Sequence, residues 1–150
     1  MRLRKHNDLE DRLREIRALR HCDKKEIAAI ARIVEERTVE EGEVLTREGD
    51  QAREIFLVRT GHASVYREGQ LIGRITDGQL FGEMAVLAAG RRRGTVVADS
   101  PMELEVASRM QLVSLLEQAP VLTLKILQAV SARLQASEAE RWTQLHKADA

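Results

Sequence analysis

The chain has 150 residues, with 24 basic side chains against 24 acidic ones, which gives no bulk attraction to nucleic acid or to an anionic membrane. Cys22 is the one cysteine, which excludes an intrachain disulfide and a cysteine-rich metal site and suits a reducing cytoplasm. No apolar run approaches a membrane span, no signal-peptide core follows the charged N-terminus, and the length suits a single domain over 1–150.

Asn7 or Asp8 is the expected cap of a first helix, with Leu9, Leu13 and Ile16 on one face and Leu19 extending the stripe. The basic residues Arg2, Arg4, Lys5, His6, Arg12, Arg14, Arg17 and Arg20 are interleaved with Asp8, Glu10, Asp11 and Glu15. This favours a solvated helix face over a nucleic-acid arm. Asp23 and Glu26 make a capping-box pair that opens a second helix, with Ile27, Ile30, Ala31 and Val34 on its buried face. These helices, over 1–36, either precede a β-domain or serve dimerisation.

From Thr38 to Ala107 the pattern changes to short strands separated by Gly turns, the signature of a sandwich or barrel. The expected strands are Thr38-Val39, 44–46, 54–59, 62–67, 70–75, 94–98 and 102–106. His6, His21, His62 and His146 show no metal-ligand spacing, and Tyr66 reads as packing rather than base stacking. After Ala107 the helical period returns. Ser108 and Gln111 form a second capping pair, Leu112, Leu115 and Leu116 give an apolar face, and Pro120 suits the first turn of a further helix. That helix carries Leu122, Ile126, Val130 and Leu134 as one stripe, and the stripe needs a surface to lie on: the β-domain, the N-terminal helices or another subunit.

The stretch that carries chemistry is Phe81-Gly82-Glu83-Met84-Ala85-Val86-Leu87, followed by Arg91-Arg92-Arg93-Gly94-Thr95. Gly82 permits a close backbone approach. A helical turn from Glu83 would begin with unpaired N–H groups that favour an anion. An arginine fork over the same spot suits a phosphate. Glu83 cannot hold a phosphate, but as an acceptor it suits a sugar hydroxyl. Phosphate donors beside one ribose acceptor describe a site for a nucleotide with a small, singly charged phosphate.

The stretch resembles the phosphate-binding cassette of cyclic nucleotide-binding domains, Phe-Gly-Glu-(Leu/Met)-Ala-Leu-Leu and then Pro-Arg-(Ala/Ser/Thr)-Ala-Thr. The match runs through Phe81, Gly82, Glu83, Met84, Ala85, Leu87, Arg92 and Thr95. The resemblance implies an α+β fold, mainly β: a jelly-roll-like β-roll over 37–107, with its cassette at 81–95, N-terminal helices over 1–36, and hinge and lid helices over 108–150. It implies that Glu83 takes the ribose 2′-hydroxyl and Arg92 the phosphate oxygens, with backbone groups at Gly82, Met84, Ala85 and Arg93 completing the cradle and Thr95 closing the motif. It also implies that Arg133 contacts the base from the lid helix, with Ser137 a candidate polar partner one turn further. Trp142, the one tryptophan, would stack on the purine, on the N-terminal helices or on a dimer mate. Arg91 stands where the family usually has Pro, Arg93 where it has a small residue or Thr, and Gly94 where it has Ala. Thr at the Arg93 position favours cGMP in many relatives, so cAMP is the first expectation and cGMP the second.

The expected function is therefore binding rather than catalysis. No Ser/His/Asp or Cys/His set is visible, and no cofactor is implied beyond the cyclic nucleotide. The chain reads as a cytoplasmic sensor that works through a protein partner or a fused effector, with no helix-turn-helix after the lid helix and with a homodimer through the helices as one arrangement. The alternative is a ligand-free interaction module on the same fold, kept open by the three adjacent guanidinium groups, which repel one another unless an anion or carboxylates sit among them.

Overall fold

The computed structural model describes the backbone of residues 2–148 and the side chains of residues 8–147. The side chains of Arg2, Arg4, Lys5 and His6 therefore lie outside the described residues. The chain divides into two compact units, Met1–Leu115 and Leu116–Ala150.

The first unit opens with α1 (Arg2–Arg14), a 3-10 turn (Arg17–Leu19) and α2 (Lys24–Ala31). Asn7 and Asp8 lie inside α1 instead of capping it, because the helix continues upstream of them. Toward its C-terminal end Arg14 reaches Asp11 at 3.1 Å and Glu10 at 4.0 Å, the one-turn charge pairing that sustains an exposed helix. Ile16 is buried, but in an extended residue after the helix. The α2 cap forms as the sequence predicts: Glu26 N–H donates to Asp23 Oδ1 and Asp23 N–H to Glu26 Oε1, both at 2.8 Å. Ile27, Ile30 and Ala31 are the buried face. Val34 is not on that face, because it begins a strand.

Among the described residues, eight strands form two antiparallel four-stranded sheets. The first has the order β1 (Val34–Val39), β8 (Met102–Ser108), β3 (Glu54–Thr60), β6 (Leu80–Phe81). The second has the order β2 (Val44–Thr46), β7 (Thr95–Ala98), β4 (Ala63–Arg67), β5 (Gln70–Ile75). Their facing residues make one core, in which Val39, Phe56, Val58 and Leu104 from one sheet meet Ala63, Ile75, Val96 and Ala98 from the other. This is the expected α+β, mainly β, roll with helices at both ends.

β1 starts at Val34, four residues before the expected strand, with Val34 opposite Ala107. Glu35, Glu36 and Arg37 hide it, since an edge strand accepts charges that a central strand would not. β6 also escapes the period-2 pattern because it is two residues long. Its placement matters most for the site: Phe81 pairs with Phe56 and stacks on it at 4.6 Å, so the residues that follow start beside β3.

The chain leaves the roll through α4 (Arg109–Gln118), whose start is capped by Ser108: its Oγ accepts Gln111 N–H and donates to Gln111 Oε1, both at 3.2 Å. The second unit carries α5 (Pro120–Ala148), with Pro120 as its first residue. Among the described residues, no single helix is long and apolar enough to cross a membrane.

Candidate functional site

Between β6 and β7 the chain makes one helical turn, α3 (Glu83–Leu87), and returns through Arg91-Arg92-Arg93. Gly82 sets the entry angle with φ +84°, a conformation glycine adopts without steric cost. It also makes room: a Cβ there would lie 2.6 Å from Arg92 Nη1 and 3.3 Å from the Glu54 carbonyl oxygen. The α3 ladder begins with Val86 N–H on the Gly82 carbonyl, so the amides of Glu83, Met84 and Ala85 stand ahead of it.

Arg92 points inward. Only 9% of it is exposed, and its guanidinium lies 5.7 Å from the Phe56 ring centroid. Two main-chain carbonyls hold it: Nη1 donates to Gly82 O at 3.1 Å and Nη2 to Glu54 O at 2.5 Å. Burial pushes its proton affinity below the ordinary value for arginine, and the carboxylates of Glu54 and Glu83 oppose that shift. Glu83 is buried as well, at 3% exposure, and lies close enough to act electrostatically on the Arg92 guanidinium. Glu54 is oriented in turn by Arg37, which donates to both of its carboxylate oxygens at 2.8 and 3.2 Å.

A second set of bonds fixes the returning chain. Arg92 N–H donates to Asp50 O (2.7 Å), Gly49 N–H to Arg92 O (2.9 Å) and Ala52 N–H to Gly90 O (3.1 Å), which makes a bridge between Gln51 and Arg91. The main-chain N–H of Arg91 takes no part in these bonds, so the position tolerates either an arginine or the proline usual in the motif. Arg91 Nη1 donates to Gly49 O at 2.9 Å, and Arg93 is exposed, its carbonyl accepting from Arg67 Nε at 3.0 Å. The three consecutive arginines therefore separate: Arg92 goes inward, Arg91 onto a turn and Arg93 to the surface. Thr95 opens β7 opposite Tyr66, and its Oγ1 accepts from Glu48 N–H at 3.0 Å.

The structure thus brings Gly82, Glu83, Met84, Ala85, Arg92, Arg93 and Thr95 onto one loop-helix-loop segment. Met84 is exposed and Ala85 half-buried. Arg133 lies on α5, in the other compact unit, and is exposed. Trp142, also on α5, stacks on His146 at 3.7 Å. Sequence reasoning read Glu48-Gly49-Asp50 as a turn but gave no site role to Glu54, Gly49 or Asp50, which hold the arginine loop through carbonyls and amides that any residue type supplies. It also missed Phe56, whose role depends on a strand pairing. Among the described residues, no group of three or more His, Cys, Asp or Glu side chains is placed to hold a metal ion.

The family model for the cyclic nucleotide-binding domain matches residues 36–119, which include both sheets except Val34 and Glu35, together with α3 and the arginine loop. The chain belongs to the cyclic nucleotide-binding domain family. The domain is 30% identical over 102 residues to the potassium/sodium hyperpolarization-activated cyclic nucleotide-gated channel 3 of Homo sapiens, covering 68% of this chain and 13% of the channel. It therefore spans a small part of that relative's length. Among solved structures, PKAR CBD2 bound to Sp-2Cl-cAMPS superposes with a TM-score of 0.73 at 22% identity, covering 91% of this chain and 93% of that one. The catabolite activator protein of Thermus thermophilus also gives 0.73, at 23% identity, covering 82% of this chain and 60% of that one. At these identities the structural likenesses speak for the fold.

Proposed function

We propose that the domain is a cytoplasmic regulatory sensor that binds a cyclic nucleotide, cAMP first and cGMP second, and performs no chemistry on it. The observation that carries the reading is the buried pair Arg92 and Glu83 in the interior of the cassette. A guanidinium has five N–H donors, and two carbonyls leave donors over while fixing the plane of the group. Arg92 is thus oriented before a ligand arrives, and its remaining donors grip the phosphate by charge-assisted bonds. Glu83 accepts from the ribose 2′-hydroxyl. The amides of Met84 and Ala85, at the open end of α3, add donors to the phosphate, and Gly82, Arg93 and Thr95 complete the cradle. The cyclic phosphate brings one negative charge to one buried cation, whereas a 5′-monophosphate brings more charge than Arg92 neutralises.

In this reading α5 serves as the lid, with Arg133 meeting the base and Trp142 and Ser137 as further lid contacts. The bound state shifts a regulatory equilibrium by its differential affinity for the open and closed arrangements. The signal passes to a protein partner or a fused effector. A second reading, a ligand-free docking or dimerisation module, is favoured by the exposed apolar residues of α5: Leu124, Leu127, Leu134, Trp142 and Leu145.

A thermal-shift titration with cAMP, cGMP and 5′-AMP separates the two. At about a hundred times its dissociation constant a ligand adds roughly 2.7 kcal/mol of stability. The sensor reading expects the melting temperature to rise with cAMP well above 5′-AMP, and to stay flat for Arg92→Ala. No rise with any nucleotide, on protein verified nucleotide-free, would support the docking module instead.

A further inference from the structure

We infer that the cleft between the N-terminal helices and the end of β3 binds a small carboxylate that also carries hydrogen-bond donors, a hydroxy acid or an amino acid. The cleft holds about 440 Å³, within the range of small-molecule sites. Arg12, Glu15 and Arg17 line one wall, and Arg59, Thr60 and Asp77 the other. It lies at the opposite end of β3 from the cassette. Glu54 opens the strand beside Arg92 and Arg59 stands near its close, roughly 17 Å away at about 3.3 Å per residue.

The walls are fixed without a ligand. Ala18 N–H donates to the Gly78 carbonyl at 3.0 Å, which seats the 3-10 turn on the turn at 76–79. Gly78 makes that approach possible: its φ is +80°, and a Cβ there would lie 3.2 Å from both Arg17 N and Arg17 Cβ. The same turn is bonded to β3, with Gly78 N–H on Val58 O at 2.8 Å and Val58 N–H on Gln79 O at 2.9 Å.

The three arginines of the cleft are not equally engaged. Arg59 is taken up by Glu36, Glu103 and Glu105. Arg17 makes one long bond, from Nη2 to the Asp77 carbonyl at 3.4 Å. Arg12 Nε is buried and has no hydrogen-bond partner among the described residues, a costly state for a donor. Two guanidinium groups therefore line the cleft with donors to spare, and a planar carboxylate matches their fork.

The acidic residues decide what else the ligand carries. With Arg59 compensated, Arg12 and Arg17 stand against Glu15 and Asp77, so the lining is close to neutral, and the three carboxylates around Arg59 add to the acidic side. A dianionic phosphate would bring charge that nothing offsets. One carboxylate with hydroxyl or ammonium donors meets both signs. Asp77 Oδ1 accepts Gly61 N–H at 2.7 Å, which orients the group and leaves its other oxygen to accept from the ligand. Glu15 is exposed at the rim.

The test titrates the full chain without nucleotide, so it stands apart from the cassette, and follows amide shifts by NMR. The probes are L-serine and glycolate, each a carboxylate with donors, acetate, the carboxylate alone, and inorganic phosphate, all at fixed ionic strength. Saturable shifts are expected at 12–18, 60–61 and 76–79 with serine or glycolate. Acetate is expected to bind roughly ten-fold more weakly, as loss of one charged hydrogen bond implies, and phosphate not to saturate these amides. The choice between serine and glycolate tells an amino acid from a hydroxy acid. Arg12→Met and Arg17→Met keep the aliphatic stems and are each expected to weaken the response roughly ten-fold. Asp77→Asn keeps an acceptor for Gly61 and is expected to weaken serine and glycolate while leaving acetate unchanged, a comparison that stands even where an arginine variant fails to fold. No saturable shift with serine or glycolate through the millimolar range, or an equal response to phosphate, would overturn the site. Wild-type affinity in both arginine variants would do the same.

Discussion

Two arginines, one half-buried on β3 and one buried facing its start, show how differently this fold treats a cation. Arg59 sits among three carboxylates: Nη1 reaches Glu36 at 3.1 Å and Glu105 at 3.3 Å, and Nη2 reaches Glu103 at 3.2 Å. Its charge is more than compensated, and the cluster ties β1, β3 and β8 together. Arg92 is oriented by neutral carbonyls instead, with Glu54 and Glu83 acting on it electrostatically. Compensation by carboxylates makes a structural joint; orientation by dipoles leaves a cation able to answer an anion.

The comparison can be broken by exchanging stability effects for binding effects. Arg92→Ala is expected to weaken cAMP binding by about 2–5 kcal/mol, as truncation of one member of a buried charge contact does, measured by titration calorimetry. Arg59→Met is expected to leave binding in place and to lower folding stability by roughly 3–5 kcal/mol, because Glu105, only 1% exposed, loses its partner. Urea unfolding reads the second effect, and a binding loss in Arg59→Met with intact stability would erase the distinction.

Gly82→Ala stands between the two, since the new Cβ meets Arg92 Nη1 and the residue must hold φ +84°. It is expected to cost about 1–2 kcal/mol in stability and to weaken binding with it.

Glu105 adds a pH dependence. Burial raises its proton affinity above the ordinary carboxylate value of 4.5, opposed by Arg59 and Arg12. The folded state thus holds this proton more tightly than the unfolded one, so the group's contribution to stability falls as pH rises from the ordinary value through the raised one. The stability of wild type relative to Glu105→Gln is expected to increase as pH is lowered across that window, and a constant difference would rule the effect out. Arg91→Ala is the smallest expected change, within about 0.5 kcal/mol in both stability and affinity, because its guanidinium lies on the exposed Gly49 turn.

Most of the roll can be read in the chain because Glu54–Thr60 carries an apolar run, Met102–Ser108 sets Met102, Leu104 and Val106 at alternate positions, and Gly turns separate the strands. The first four residues of β1 could not be, because three charged residues on an edge strand carry no period; only Thr38-Val39 was legible. Asn7 and Asp8 misled because a capping preference marks where a helix can start, not where it does. At the site, the residues legible in sequence were those whose type matters: Gly82 for its missing Cβ, Glu83 and Arg92 for their charge. The holders were not, because Glu54, Asp50 and Gly49 act through main-chain atoms.

The bridge between the Gly49 turn and the arginine loop joins positions 42 residues apart, at Arg91 and Gly49. Closing a loop of that size is entropically unfavourable until other contacts already hold its ends together. The arginine loop therefore takes its native register only once the Gly49 turn stands beside it. A chain stalled with its sheets half assembled would carry the whole cassette sequence and still lack this frame, so the nucleotide affinity proposed above would report completed folding.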